Sequence, residues 1–133
     1  MNTKNVISWI LRITAATILL QTLYFKFTGH PESVELFTKL GVEPWGRIGT
    51  GIIELITSIL LLLPATVFVG AFMGIGLMFG AILLHITIIG VESKGDGGQL
   101  FMLAVIEIIL CTIISILHKK QGINLIKNNF KNR

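Results

Sequence analysis

Charge is scarce in this sequence. Asp, Glu, Lys and Arg make up 14% of its 133 residues, against about 25% in an ordinary soluble domain. Hydrophobic residues make up 53%, and the mean hydropathy is +0.82. That composition excludes a water-soluble fold, and the length suits a single domain, 1–133. The net charge of +4 does not point to nucleic acid, because the basic residues form no stripe on a soluble face. Five of the eleven crowd into the tail after Leu117, where an anionic inner leaflet is the natural partner. Only one cysteine is present, Cys111. It excludes an intrachain disulfide and dithiol exchange by the chain alone, and it reads as a small buried hydrophobe. Glycine-rich dinucleotide fingerprints and nucleophile elbows are missing. So is the Glu-x-x-His pair of bundle di-iron sites, so no metal is expected, although two carboxylates and a histidine would suit iron or zinc. Haem is disfavoured, since His85 is the only histidine within a membrane run.

What is present is a series of apolar runs of membrane length. Spans are expected at about 6–27, 45–63, 67–89 and 100–117, each near the ~20 residues that cross a bilayer core. Gly29 and Pro31 close the first, Pro64 separates the second from the third, and Gly90 to Gly98 separates the third from the fourth. Arg12 interrupts what would otherwise read as a signal peptide, and no small-residue cleavage site follows, so the first run is a retained helix. The fold class is therefore all-α: an antiparallel bundle of four transmembrane helices. Lys4 and the basic tail place both termini in the cytoplasm, with the protein in the cell membrane. Lys26, Lys39, Arg47 and Lys94 then lie at the outer side. Trp9, Tyr24 and Trp45 fall where aromatic belts form. In the first outer loop, Pro31-Glu-Ser-Val-Glu-Leu-Phe-Thr-Lys-Leu40 has a helix-starting proline, acidic residues in its first turn, and Val34, Phe37 and Leu40 on one face. It predicts a short amphipathic helix, either a simple connection or a lid.

Against this apolar background, Glu54 and Glu107 stand out. A carboxylate at the centre of a span costs roughly +2.5 to +3.5 kcal/mol on insertion scales, so it faces the bundle interior and finds a partner or a task. At 1.5 Å per residue, Glu54 lies ~13 Å below Trp45, Glu107 ~10 Å below Leu100, His85 ~7 Å before Gly90 and Gln21 ~8 Å before Lys26. All four fall in the outer half, on four different helices. Stripes at helical spacing predict the interior faces: Thr14, Thr17, Gln21 and Tyr24; Arg47, Gly51, Glu54 and Ser58; Gly70, Gly74, Met78, Ala81 and His85; Ala104, Glu107, Cys111 and Ser115. Gly70-x-x-x-Gly74 and Gly76-x-x-x-Gly80 are expected to serve close helix packing, with a ligand-facing slot as the alternative.

Two readings stand for each polar residue. Glu54 either handles protons or forms a structural ion pair with Arg47 or Lys26. Glu107 either takes part in chemistry or is a protonated acid bonded to Gln21 or a backbone carbonyl. His85 either exchanges protons or is an interior imidazole bonded to Glu54. Arg12 is expected to snorkel to the inner headgroups. The candidate catalytic set is Glu54, His85 and Glu107, and the candidate ligand-binding set is Gln21, Lys26, Trp45 and Arg47.

Several short segments resemble the DoxX family of small four-helix membrane proteins. They are Leu23-Tyr-Phe-Lys26-Phe, Glu43-Pro-Trp-Gly-Arg47-Ile-Gly, Gly51-Ile-Ile-Glu54-Leu, Gly80-Ala-Ile-Leu-Leu-His85 and Asp96-Gly-Gly98. The resemblance covers about Arg12 to Ile116 and rests on the order and spacing of these pieces. It implies an association with membrane redox systems, since a related protein belongs to a thiosulfate:quinone oxidoreductase. Glu107 lies outside those motifs.

The leading expectation is a membrane subunit for redox chemistry. A bound quinone would enter the outer half, Glu54 and His85 would handle its protons, and a soluble or membrane partner protein would supply electrons. One alternative is a cofactor-free binder or isomerase of a lipophilic molecule. Another is a non-enzymatic assembly subunit whose buried charges only fix helix pairing. An ion carrier is the weakest reading, because no polar track continues into the inner half. The expected partners are the bilayer and a redox protein, with self-association into a homo-oligomer left open and no nucleic acid.

Overall fold

The computed structural model describes residues 2–93 and 95–133, so the expectation for Lys94 lies outside the described residues. Helices account for nearly all of it: α1 (Thr3–Phe27), α2 (Pro31–Lys39), α3 (Trp45–Leu62), α4 (Val67–Leu84), α5 (Gln99–Leu117) and α6 (Lys119–Lys131). A π turn, His85–Ile89, continues α4, so that span runs Val67–Ile89. Among the described residues four helices are long and apolar enough to cross a membrane: α1, α3, α4 with its π turn, and α5. They match the four expected spans to within three residues at every end. Their outward faces carry exposed side chains such as Ile10, Ile13, Phe72, Phe79, Met102 and Ile109. In water such a surface would aggregate; in a bilayer it is the solvated face.

The spans form a closed ring. α1 packs on α3, α3 on α4, α4 on α5, and α5 back on α1. The half nearest the two long loops is called the outer half, and the half nearest the termini the inner half. Lipid tails are as apolar as leucine, so helices gain little by hiding from them and associate by close packing instead. Glycine permits that closeness at Gly70 and Gly74. A Cβ on Gly70 would stand 2.8 Å from the Leu61 amide nitrogen, so α4 crosses α3 backbone to backbone. A Cβ on Gly74 would stand 2.5 Å from the Cys111 sulfur of α5. Ala15, Leu61, Val67, Ala71, Cys111 and Ile114 are fully buried between these contacts and make the inner half a dry core.

Gly76 and Gly80 behave differently. A Cβ on either would meet nothing within 4 Å. The expected packing role holds for the first glycine pair and fails for the second, which faces open space.

The interior faces expected for α3, α4 and α5 are the buried ones, through Gly51, Glu54 and Ser58, through Gly70, Gly74, Met78 and His85, and through Ala104, Glu107 and Cys111. The face expected for α1 is wrong. Its buried side is Ser8, Arg12, Ala15, Ala16, Leu19 and Leu23, while Thr14, Thr17, Gln21 and Tyr24 are exposed. The reason is local. Thr14 and Thr17 donate their hydroxyls to the carbonyls of Ile10 and Ile13, each at 2.7 Å. A threonine satisfied by its own helix need not face the interior.

Arg12 does not snorkel. It is 3% exposed; its Nε donates to the Leu61 carbonyl at 2.6 Å and its Nη2 to the Leu62 carbonyl at 3.1 Å. Those carbonyls belong to the last turn of α3, which has no intrahelical donors for them and carries the negative end of the helix dipole. The guanidinium also lies 3.8 Å from the centre of the Trp9 ring. The basic tail, expected only as a tail, is the helix α6. Gln121 ties it to the bundle by donating to the Pro64 carbonyl at 2.9 Å and accepting from the Phe68 amide at 2.7 Å.

Candidate functional site

The outer half encloses a cavity of about 520 Å³, a volume within the usual range of small-molecule sites. Every membrane span contributes to its wall, through Leu19, Thr22 and Lys26 of α1, Thr50 and Glu54 of α3, Gly76, Gly80, Ala81 and His85 of α4, and Leu100 and Ala104 of α5. The loop helix α2 adds Ser33, Leu36 and Phe37. Pro31 starts that helix at its first turn, as expected, and Phe37 is its buried residue. Lys39 pins it to the π turn by donating to the Ile89 carbonyl at 3.2 Å. Of the two readings of this helix, a cover fits the geometry and a bare connection does not.

Glu54 is 4% exposed and fully engaged. Lys26 Nζ stands 3.0 Å from both carboxylate oxygens, and the Thr22 hydroxyl lies 3.1 Å from Oε2. The ion-pair partner is thus Lys26 rather than Arg47. Arg47 holds Glu43 at 2.8 Å and also donates to the Lys26 backbone carbonyl. That carbonyl lies in the last turn of α1, so Arg47 serves α1 as Arg12 serves α3. By holding the lysine's backbone it fixes where the ammonium meets Glu54. Arg47 itself and Trp45 do not reach the cavity wall, and Trp45 is 70% exposed at the outer end of α3. Gln21 is exposed but does touch the cavity.

His85 is 3% exposed and opens the π turn. Its Nδ1 lies 2.9 Å from the Gly90 carbonyl oxygen. A carbonyl only accepts, so Nδ1 must donate, and in the neutral ring Nε2 is left as an acceptor. The wider π turn and the left-handed Gly90 (φ 89°) bring that carbonyl back to the ring. Phe101 braces the imidazole edge-on, with ring centres 5.7 Å apart. Among the described residues no hydrogen bond or ion pair joins His85 to Glu54. The two share the cavity, and the carbonyl of Gly90 takes the place expected for the carboxylate.

Glu107 is completely buried and lies beneath the cavity rather than in its wall, one turn below Ala104. The Cys111 thiol approaches its Oε1 at 3.6 Å, and its Oε2 has no partner. Gln21, named as a candidate partner, is not bonded to it. Cys111 is buried as expected, with a polar neighbour.

Asp96 closes the outer loop and touches the cavity. Its carboxylate accepts from the amides of Gly98 at 2.8 Å, Ser93 at 3.0 Å and Leu100 at 3.1 Å, which caps the start of α5. Partial burial works against its charge. The three amides and the nearby His85 outweigh that and hold its carboxyl below the usual range. This capping role was not read from the sequence, although an aspartate two residues before a glycine and three before a helix is its signal. No three His, Cys, Asp or Glu side chains converge among the described residues in a way that would hold a metal ion.

Four membrane-length helices around a cavity with a few buried polar groups define an integral, multi-pass membrane protein. Residues 10–114 match the DoxX-like family, and the chain belongs to it. No curated protein matches it, and no solved structure does.

Proposed function

We propose that the outer-half cavity binds a lipophilic small molecule drawn from the bilayer, and that a quinone is the class it fits best. The observation that carries this reading is the pairing of His85, whose Nδ1 is held by Gly90 and whose Nε2 has no described hydrogen bond, with the Lys26–Glu54 pair in the wall of one cavity. A quinone carbonyl needs a donor, which the Lys26 ammonium supplies. A quinol hydroxyl needs an acceptor, which His85 Nε2 supplies. The apolar remainder of the wall suits an isoprenoid tail, and the open strip at Gly76 and Gly80 admits a flat ring beside α4.

In this reading His85 exchanges the proton. Gly90 holds the ring in one tautomer, so Nε2 always faces the ligand. Glu54 has both oxygens committed to Lys26, so it orients the ammonium rather than acting as a free base. Glu107 is a reserve carboxyl under the floor. Electrons come from a partner protein, because quinone reduction takes up two electrons and two protons and the chain's single cysteine cannot cycle as a dithiol. The protein sits in the cell membrane with its termini in the cytoplasm, as the basic termini favour.

Mass spectrometry of lipids released from gently purified protein tests the proposal. A co-purifying quinone, lost in His85→Ala while the spans stay folded, is the expected result. A different lipid held by the same residues would favour the binder or isomerase reading, and an empty cavity in protein that competes for no added short-tailed quinone would end both.

A further inference from the structure

The inner end of the molecule carries basic side chains with no acidic side chain beside them. Lys4, Arg12, Lys119, Lys120, Lys127, Lys131 and Arg133 lie there, while every acidic residue, from Glu32 to Glu107, lies at the midpoint of the bundle or outward of it. Both ion pairs seen among the described residues, Lys26–Glu54 and Arg47–Glu43, are in the outer half. No acidic side chain lies at the inner end to balance them.

α6 gives that charge a shape. At 100° per residue, Ile123, Ile126 and Phe130 fall on one stripe, and Lys120, Lys127 and Lys131 fall within a narrow arc about 90° round from it. The three apolar side chains are 47%, 57% and 75% exposed. All the lysines of α6 are exposed as well. The first turn is fixed at the level where α4 begins, by the Gln121 bridge and by Gly122, on which a Cβ would stand 2.5 Å from the Phe68 ring. The Ser8 hydroxyl and His118 Nε2, 2.7 Å apart, hold the junction with α5. α6 therefore leaves the bundle at the membrane boundary, next to the lipid-facing Ile113 and Ile116 of α5. An apolar stripe flanked by lysines at that depth has the form of a helix lying in the interface.

We infer that α6 is a docking surface for anionic phospholipid, with Ile123, Ile126 and Phe130 inserted at the headgroup boundary and Lys120, Lys127 and Lys131 on the phosphates. A second copy of the chain is a poor occupant of the same face, because it would bring the same unpaired cations to it.

The test uses the full-length protein in nanodiscs of phosphatidylcholine alone or doped with phosphatidylglycerol, read by hydrogen exchange of the amides of residues 123–131. Each lysine near an anionic surface changes the docked-to-free ratio about fivefold, and three together roughly a hundredfold. The expected result is stronger protection in the anionic discs, erased by high salt and by Lys120→Gln, Lys127→Gln and Lys131→Gln combined. Unchanged exchange in α1 to α5 shows that the triple variant is folded. Ile126→Ser should lower protection in both kinds of disc. Equal protection in neutral and anionic discs would overturn the proposal, as would a triple variant that keeps the gain. Protection that appears only in discs holding two copies would overturn it in favour of self-association.

Discussion

The inner and outer halves of this bundle contain similar residues and use them in opposite ways. In the inner half every buried polar group is spent on structure. Arg12 holds the last carbonyls of α3, Thr57 and Ser58 bond back to their own helix, and Ser8 meets His118. The glycines there are filled by a neighbour's backbone or sulfur. In the outer half the helices separate around a cavity, Gly76 and Gly80 face open space, and no hydrogen bond is described to His85 Nε2. A buried polar atom without a partner is costly, so proteins leave few of them; among the described residues the one such side-chain atom is Glu107 Oε2, beneath the cavity.

The strongest probe of that contrast is the Lys26–Glu54 pair, an outer-half cluster with every partner in place. Lys26→Met leaves a buried carboxylate alone and should destabilise by about 3–5 kcal/mol, read as thermal unfolding in detergent. Glu54→Gln should cost less, since it keeps the shape and one acceptor. Adding Glu54→Gln to Lys26→Met should recover most of the loss. If the double variant is folded and still binds ligand, the pair is structural and the Lys26 ammonium is not the ligand's donor. If Glu54→Gln alone is stable but has lost ligand-linked proton uptake, Glu54 handles protons itself.

The glycines give the next largest effect and the cleanest contrast. Gly70→Ala puts a methyl group 2.8 Å from a backbone nitrogen and should cost about 1–3 kcal/mol. Gly80→Ala meets nothing and should leave stability unchanged or slightly raised. Gly80→Leu should remain folded and lose ligand, because its side chain would enter the cavity. Equal destabilisation by the two alanine variants would erase the distinction between the halves.

His85→Ala should weaken ligand binding by about tenfold, the worth of one hydrogen bond to a ring nitrogen in the cavity wall, with a smaller change in stability. Equilibrium binding of a short-tailed quinone measures it. An affinity equal to that of the unaltered protein would remove His85 from the site.

Acid should separate the two ends most gently. Burial, then the neighbouring charges of Arg12 and Lys4, hold His118 below the usual histidine range. A lowered folded value means the folded state prefers the neutral ring. Its contribution is complete above about pH 6.5 and fades as pH falls below that. Asp96 is also lowered, so the loop it closes keeps its full contribution above about pH 4 and loses it only in stronger acid. Hydrogen exchange between pH 7 and pH 5 should loosen the α5–α6 junction while the start of α5 stays protected. Loosening in the reverse order would contradict both assignments.

The sequence by itself determined the number of spans, their ends and the short loop helix. Those follow from length, hydropathy and the local chemistry of Pro31, Pro64 and the glycines, which act over a few residues. It also determined the interior faces of α3, α4 and α5, where small or acidic residues recur at helical spacing and cannot comfortably face lipid. It misplaced the face of α1, because Thr14 and Thr17 satisfy their hydroxyls locally and their polarity says nothing about burial. It left α6 as a tail, though Ile123, Ile126 and Phe130 keep helical spacing within it. Only the tertiary structure decided the partners. Arg12, Arg47 and His85 all bond to backbone carbonyls, and every residue has a carbonyl, so no pattern of side chains marks which are free. For the two arginines that depends on where a neighbouring helix ends and how closely it lies, and for His85 on the π turn that brings Gly90 back to the ring. The same holds for the two glycine pairs, identical in spacing, of which one meets a neighbouring helix and the other faces the cavity.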